Sequence, residues 1–364
     1  MSKVVNIPSK LEVYRFAMNI VPSTEQIKKQ VCYIYDNDLV FYSSTNNAWF
    51  VVKEFIDSDI NIRLPVDILD KIISIPGNLQ IRSKGADKNC SVMSDKFNLE
   101  ISPIYVDEIP EIKIPDDSMF RDIPKDLKYI RSYRSFNEDG FTRVTNRHFD
   151  NHNLTMMVTK NSVIGHVSKN EETLGGISID NFDTLVALAA YDSKIFIDKG
   201  ILYSKTIMGN NVVYGGIKMK NIPIPDAAFD YIKKCVFDDP SNHRVIEYTM
   251  SISEAARLSS IMNNFQDGGL AEFSIESEDN LKVSYSTFNM KIDVDIDVQA
   301  SGSLTYKGAP FNVAFTNVLT SINDKKSGDM VDTITCRLFL DLQLIVYISE
   351  VKDVKSFIIM KFIV

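Results

Sequence analysis

The residues that could carry catalysis or hold a metal are few, and none falls in a spacing that does so. Four histidines are present, and only His148 and His152 are close. They stand i, i+4 in RHFDNHN, a turn-like stretch between strands, with no third ligand and no HExxH helix. Cys32, Cys90, Cys235 and Cys336 are far apart and form no CxxC pair, which argues against a zinc ribbon and suits reduced thiols in a cytoplasm. Gly175-Gly176, Gly215-Gly216 and Gly268-Gly269 belong to no GxxxxGK[ST] phosphate cradle, and no GxSxG elbow occurs. Asp293, Asp295 and Asp297 alternate along a strand pattern and share one face, as a solvated acidic surface does. No enzyme, cofactor or metal is therefore expected. The chemistry that remains is phosphate binding by cations. Lys125, Lys128, Arg131 and Arg134 recur every three residues and must share one stripe of a helix, although a solvated face is the commoner fate of such a stripe.

That stripe is local. Over 364 residues, 40 Lys and Arg stand against 48 Asp and Glu, a net charge of −8. A protein that coats nucleic acid with its whole surface would not be so acidic. One that keeps its cations on a single face could be. Lys10 and Arg15 in a first helical segment, Lys28 and Lys29 after it, Arg143 and Arg147 after the Lys125 segment, and Arg257 in a later one add to the same tally. Such a distribution suits a protein that encloses a polyanion without gripping it. No stretch approaches the ~18 apolar residues of a membrane span, and the N-terminus lacks a secretory apolar core.

The elements that must position these cations alternate in kind. Segments such as CYIYDNDLVFYSS, TMMVTKNSVIGHVS and CRLFLDLQLIVYIS are β-branched, aromatic and broken at polar turns, so strand should exceed helix. Six short amphipathic segments read as helices, starting near Ile7, Leu64, Ile123, Ile177, Ser251 and Phe311. Pair members lie about 55–60 residues apart and pairs about 115–130, which predicts three repeated α+β domains. Proline-punctuated stretches at 105–124 and 220–243 read as joints, giving domains 1–117, 118–243 and 244–364.

Four motifs in order resemble the bacterial β sliding clamp, the processivity subunit of the replicative DNA polymerase. IRLPVDILDKIISIPGNLQIRSKGADKNCSVMSDKFNLEISPIYVDEIPEI is similar to that family's second helix, strands and connector. NNVVYGGIKMKNIPIPD resembles the strand ending in a G-R-F-P-D turn, GAPFNVAFTNVLTSI an F-N-x-x-Y/F-L helix, and SFIIMKFIV the terminal run. The resemblance implies three tandem DNA-clamp domains, each with two inner helices and outer antiparallel sheets. Two chains would form a head-to-tail homodimeric ring around double-stranded DNA, loaded by an ATPase made of other chains and tethering a DNA polymerase. Lys10, Arg15, Lys28, Lys29, Lys125, Lys128, Arg131, Arg134, Arg143 and Arg257 would face the DNA.

By position the resemblance also places Ile72 and Ile75 opposite Ile261 and Met262 at the dimer joint. A partner-peptide pocket falls on Val144, Thr159, Ile164, Pro225, Phe229, Asn312, Phe315, Ile358 and Met360. Each of these is equally suited to packing inside its own domain. The family's T-D-G-H-R-L run reads Thr159, Lys160, Asn161, Ser162, Val163 and Ile164 here, and the C-terminal Pro and Arg are missing, so a different peptide is expected. These departures, with a composition typical of AT-rich coding sequence, suit a bacteriophage or other mobile genome. A clamp-like recruitment platform or transcription coactivator, and a β-rich virion or glycan-binding protein, are the competing readings.

Overall fold

The computed structural model describes the chain except residues 1–8, 22–29, 45–46, 76, 85–88, 95–96, 138–141, 171, 175–177, 180–181, 220–222, 265–268, 288–289 and 364. All six expected helices form among the described residues: α1 Lys10–Ile20, α2 Val66–Ile73, a 3-10 helix Lys125–Phe136, α3 Phe182–Ala190, and, after an additional α4 at Asp226–Ile232, α5 Ile252–Met262 and α6 Val313–Leu319. Their starts follow from capping chemistry. The Ser9 hydroxyl accepts from Glu12 N–H at 3.2 Å while the Glu12 carboxylate accepts from Ser9 N–H at 2.7 Å, a reciprocal box. Ser251 Oγ accepts from Glu254 N–H and Asn312 Oδ1 from Ala314 N–H, capping α5 and α6 from the side-chain direction alone.

The chain packs into two units, one of residues 1–123 with 183–220 and one of 124–182 with 221–364. This differs from division near 117 and 243 because strands pair across those joints. Ala48–Val52 pairs with Asn211–Lys218, and Ser162–Ser168 with Val354–Lys361. In the first unit a nine-stranded antiparallel sheet runs from Arg121–Asp122 to Ile104–Tyr105, with the Asn211–Lys218/Ala48–Val52 pair at its middle. α1 packs on it, and Thr184 Oγ1 of α3 bonds the Ile20 carbonyl at 3.1 Å where α1 ends. The proline-rich joint lies on the other side of the strand residues it covers: Ile109, Ile112 and Ile114 pack against Trp49, Val40 and Val51, and Asp117 accepts from Lys205 Nζ at 2.6 Å. A separate four-stranded sheet ends in Phe97–Ile101.

In the second unit a twelve-stranded antiparallel sheet runs from Ser178–Ile179 to Leu304–Gly308. Successive side chains on a strand point to opposite faces. On Ser162–Ser168, Val163 and Val167 join a core with Ile224, Ala228 and Ile232 around α4, together with Ile359 of the neighbouring strand. His166 points the other way, onto the 3-10 helix. α4 lies inside the stretch expected to be a connector, where Pro225 sets up its first turn and a π-turn, Lys233–Phe237, continues it.

The 3-10 helix is unusually long for its type, since runs beyond three or four residues are uncommon. Its sequence explains it. KDL-KYI-RSY-RSF repeats a cation, a variable residue and an apolar or aromatic residue. With three residues per turn, i and i+3 eclipse, so Leu127, Ile130 and Tyr133 are buried in one line and Lys125, Lys128, Arg131 and Arg134 are exposed in another.

Candidate functional site

The cationic line is the best-defined feature. The 3-10 helix is held from beneath by Tyr133, Tyr129 and Asp126. Asp126 is buried and accepts from the Ser168 hydroxyl and the Asn170 amide; burial pushes its carboxyl up, and those two donors oppose the shift. Tyr129 stacks on the buried His166 ring at 4.5 Å between centroids, and Lys128 Nζ lies 4.8 Å from the centroid of the same tyrosine ring. Phe136 meets Phe315 of α6 at 5.5 Å.

Between this helix and the segment after α6 lies a groove of about 920 Å³. Lys128, Arg131 and Arg134 line one side and Lys325, Lys326 and Lys352 the other, against only Asp324 and Asp329. Lys352 is paired with Asp329, and Asp329 is held below the usual carboxylate range by that pairing. A concave surface with excess positive charge focuses field and attracts phosphates without reading bases. Lys325, Lys326 and Lys352 escaped the sequence reading because they sit in turns far along the chain; the only signal was the KK pair in DKKSGD.

The other expected DNA-facing cations are placed differently. Arg15 is exposed on α1. Lys10 is half-buried, with Nζ bonded to the Phe55 carbonyl, and burial pushes its amine down. Arg257 is exposed but bonds Glu254 through Nε and Nη2 and the Asp295 carbonyl through Nη2, so its charge is answered within the chain. Arg143 is half-buried and donates to the Thr142 carbonyl at 2.7 Å. Lys28 and Lys29 lie outside the described residues.

A second groove, about 560 Å³, opens at the ends of Ser162–Ser168 and Val354–Lys361. Of the nine expected pocket residues, Thr159 and Met360 line it. Ile164 and Ile358 do not: they pair opposite each other and are fully buried on the helix side, whereas their neighbours Val163 and Ile359 line the groove. Both faces reach this strand-end groove, since Ser162 and Val163 line it together, as do Ile359, Met360 and Lys361, while Ile164 and Ile358 pack in the interior. Val144 and Phe315 are also core, Phe315 lying against Phe311 and Tyr347. Asn312 is spent on capping α6. Pro225 is exposed just ahead of α4, and Phe229 packs on Phe149 with Arg147 4.9 Å over its ring.

At the expected dimer joint, Ile72 and Met262 are fully buried within their own units and offer no surface; Ile75 and Ile261 are half-exposed. Two of the strand edges among the described residues are long enough to matter for pairing. Phe97–Ile101 ends its sheet with Phe97 45% exposed, and Lys291–Ala300 pairs with Val245–Ser251 only over Val298–Ala300, leaving one side of 291–297 unpaired.

Among the described residues no group of three or more His, Cys, Asp or Glu side chains is placed to hold a metal ion. His152 Nδ1 meets the Asp150 carbonyl at 2.7 Å and His243 Nδ1 the Asp341 carboxylate at 2.7 Å. The four cysteines are free and buried; burial pushes the Cys90 and Cys235 thiols up to about 11 and about 12. No helix among the described residues is long and apolar enough to cross a membrane.

No protein-family model matches the sequence, and no curated protein matches it significantly. Solved structures do match in backbone. The DNA polymerase III beta chain of Streptococcus pneumoniae aligns at a TM-score of 0.69 over 97% of both chains with 12% identity. The DNA polymerase sliding clamp of Bacillus subtilis gives 0.68 over 97% of this chain and 96% of its own, with 13% identity. The DNA polymerase III beta subunit of Thermotoga maritima gives 0.67 over 98% and 96%, with 12% identity. The chain therefore has the bacterial sliding-clamp fold, in a form whose sequence has diverged far from these structures.

Proposed function

We propose that two copies of this chain close head to tail into a ring that encircles duplex DNA and tethers a DNA polymerase, acting without catalysis. Each chain would contribute three modules, 1–117, 118–243 and 244–364, with the helices turned to the DNA. The observation that carries the reading is the exposed line Lys125, Lys128, Arg131 and Arg134, in 3-10 register, in a chain of net charge −8. The clamp fold along nearly the whole chain supports it.

The mechanism is topological. A duplex carries one phosphate charge per ~1.7 Å of axis, so a sparse cationic lining attracts it with little dependence on sequence and lets it slide. Weak contacts suffice, because a closed ring leaves only by opening or by reaching an end. Tethering raises the local concentration of polymerase with no new contact at the reaction site. Loading would fall to an ATPase of other chains. The open edges at Phe97–Ile101 and 291–297 supply backbone groups that could pair between subunits. The 560 Å³ groove would receive a peptide from the polymerase.

The test is retention on DNA of changing topology. Chains loaded onto nicked circular duplex by a clamp-loader ATPase should stay through gel filtration and be lost once the circle is cut. Retention that survives linearisation overturns the ring. Light scattering should give twice the mass of one chain; a monomer overturns the dimer.

A further inference from the structure

The groove at the strand ends has a charge that its surroundings do not share. Val163, Leu344 and Ile359 form its apolar floor, and Leu270 and Ile363, 49% and 58% exposed, stand at its wall. Three lysines line it, Lys160, Lys307 and Lys361, and no Asp or Glu among the described residues does, in a chain where acids outnumber cations 48 to 40. Lys307 has Glu272 at 3.7 Å, a solvent-exposed pair of little strength. Lys160 and Lys361 form no ion pair with any described residue. The backbone offers no free edge beside them: Lys307 and Ile363 bond each other in both directions, at 2.6 and 2.8 Å, so the chain's own end already occupies that edge. A ligand here must be recognised through side chains rather than by adding a strand.

We propose that this groove takes an acidic, extended peptide segment of a partner protein, whose apolar side chains cover Val163 and Ile359 while Asp or Glu carboxylates meet Lys160, Lys361 and Lys307. This rests on the reading that the groove is the polymerase's docking place, and adds the chemistry of what docks. A peptide whose apolar side chains cover the floor would displace water beside the exposed ammonium groups, which strengthens their attraction for its carboxylates. Lys160 and Lys361, with Lys307 only weakly answered by Glu272, repel basic segments and reward acidic ones, so charge sets the choice among peptides that share apolar anchors.

The experiment is selection of a random dodecapeptide display library on the purified full chain, with the enriched peptides remade with a fluorophore and measured by anisotropy. Two surface variants separate the outcomes, K160Q/K361Q and L270S/I363S. Enriched peptides should pair apolar residues with two or more acids. Their affinity should drop about tenfold on K160Q/K361Q, and by a similar factor when their Asp residues become Asn. It should also weaken with added salt. Neutral or basic peptides that bind K160Q/K361Q unchanged but lose affinity on L270S/I363S overturn the acidic specificity and leave the docking groove standing. Peptides indifferent to all four substitutions overturn both.

Discussion

The His166 ring lies between two tyrosines, 4.5 Å from the Tyr129 centroid and 5.3 Å from that of Tyr133, nearly parallel to both. Its nitrogens are also taken. Nδ1 meets the Tyr133 hydroxyl and Nε2 lies 2.7 Å from Ser321 Oγ, whose own hydroxyl donates to the Val318 carbonyl at 2.6 Å. A neutral tautomer in which Tyr133 donates to Nδ1, Nε2–H donates to Ser321 and Ser321 donates to Val318 fits these contacts, with the Thr155 carbonyl 3.2 Å from the Tyr133 hydroxyl as a second acceptor for the same proton. A strand residue thus fixes both the cation-bearing helix and the end of α6, the two walls of the basic groove.

This arrangement has a pH consequence. Burial pushes the imidazole down to about 3. In the unfolded chain it titrates near ~6.5, so between these values the unfolded state binds the extra proton. Stability from His166 is complete above ~6.5 and is lost as pH falls toward 3. By pH 4.5 the loss is about 2–3 kcal/mol. Asp126, pushed up by burial, acts in the opposite direction over the acid range and remains in both proteins compared. Urea unfolding of wild type and His166→Gln from pH 7 to 4.5 should give converging curves as pH falls. Parallel curves would contradict a buried neutral ring.

The cationic line makes a quantitative expectation about salt. Each phosphate contact contributes about 0.9 to the slope of log K against log salt. If the four side chains each meet a phosphate, replacing Lys125, Lys128, Arg131 and Arg134 by Gln should lower that slope by about 3–4 and leave the mass in solution unchanged. Because all four are exposed, unfolding free energy should change by no more than about 0.5 kcal/mol per substitution. An unchanged slope would place the line away from the duplex.

Arg257 provides the contrast. It is exposed, and Glu254 and the Asp295 carbonyl occupy its donors, with Asp297 close by. Arg257→Gln should therefore alter DNA retention by less than about twofold, where Arg131→Gln alters it by several-fold. Equal effects would mean that the Glu254 pair opens on DNA.

Much of this was legible in the sequence. Helix starts followed from Ser9, Ser251 and Asn312, and the cationic line from a three-residue repeat. That the helix is 3-10 went unread, although Leu127, Ile130, Tyr133 and Phe136 recur at three without the alternation of three and four that an α-helix needs. Strand register was not legible. Ile164 and Val163 are equally apolar, and only the position of α4 on one side and the 3-10 helix on the other decides which joins the core around α4. Nor could the lysines of the two grooves be gathered from sequence, because turns and strand ends from distant segments bring them together. α4 was hidden by prolines that mark a joint and a helix start alike.

Gly165 tests that register directly. It pairs opposite Phe357 on one side and Met156 on the other, and a Cβ added to it would run into the Phe357 ring and sit 3.0 Å from the Thr155 carbonyl. The missing side chain lets the phenyl ring lie across the strand, where it completes the core shared with Val163 and Ile359. Gly165→Ala should destabilise by about 1–3 kcal/mol, since neither a packed ring nor a backbone carbonyl can yield cheaply. Phe357→Leu removes the ring edge at the cost of a partial cavity, and the alanine then has room. The double variant should be at least about 1 kcal/mol more stable than the sum of the single losses implies. Urea midpoints at constant slope measure all four corners of this cycle. Strict additivity would mean that residue 165 does not meet Phe357, and with it would go the placing of that ring beside Val163 and Ile359 in the core.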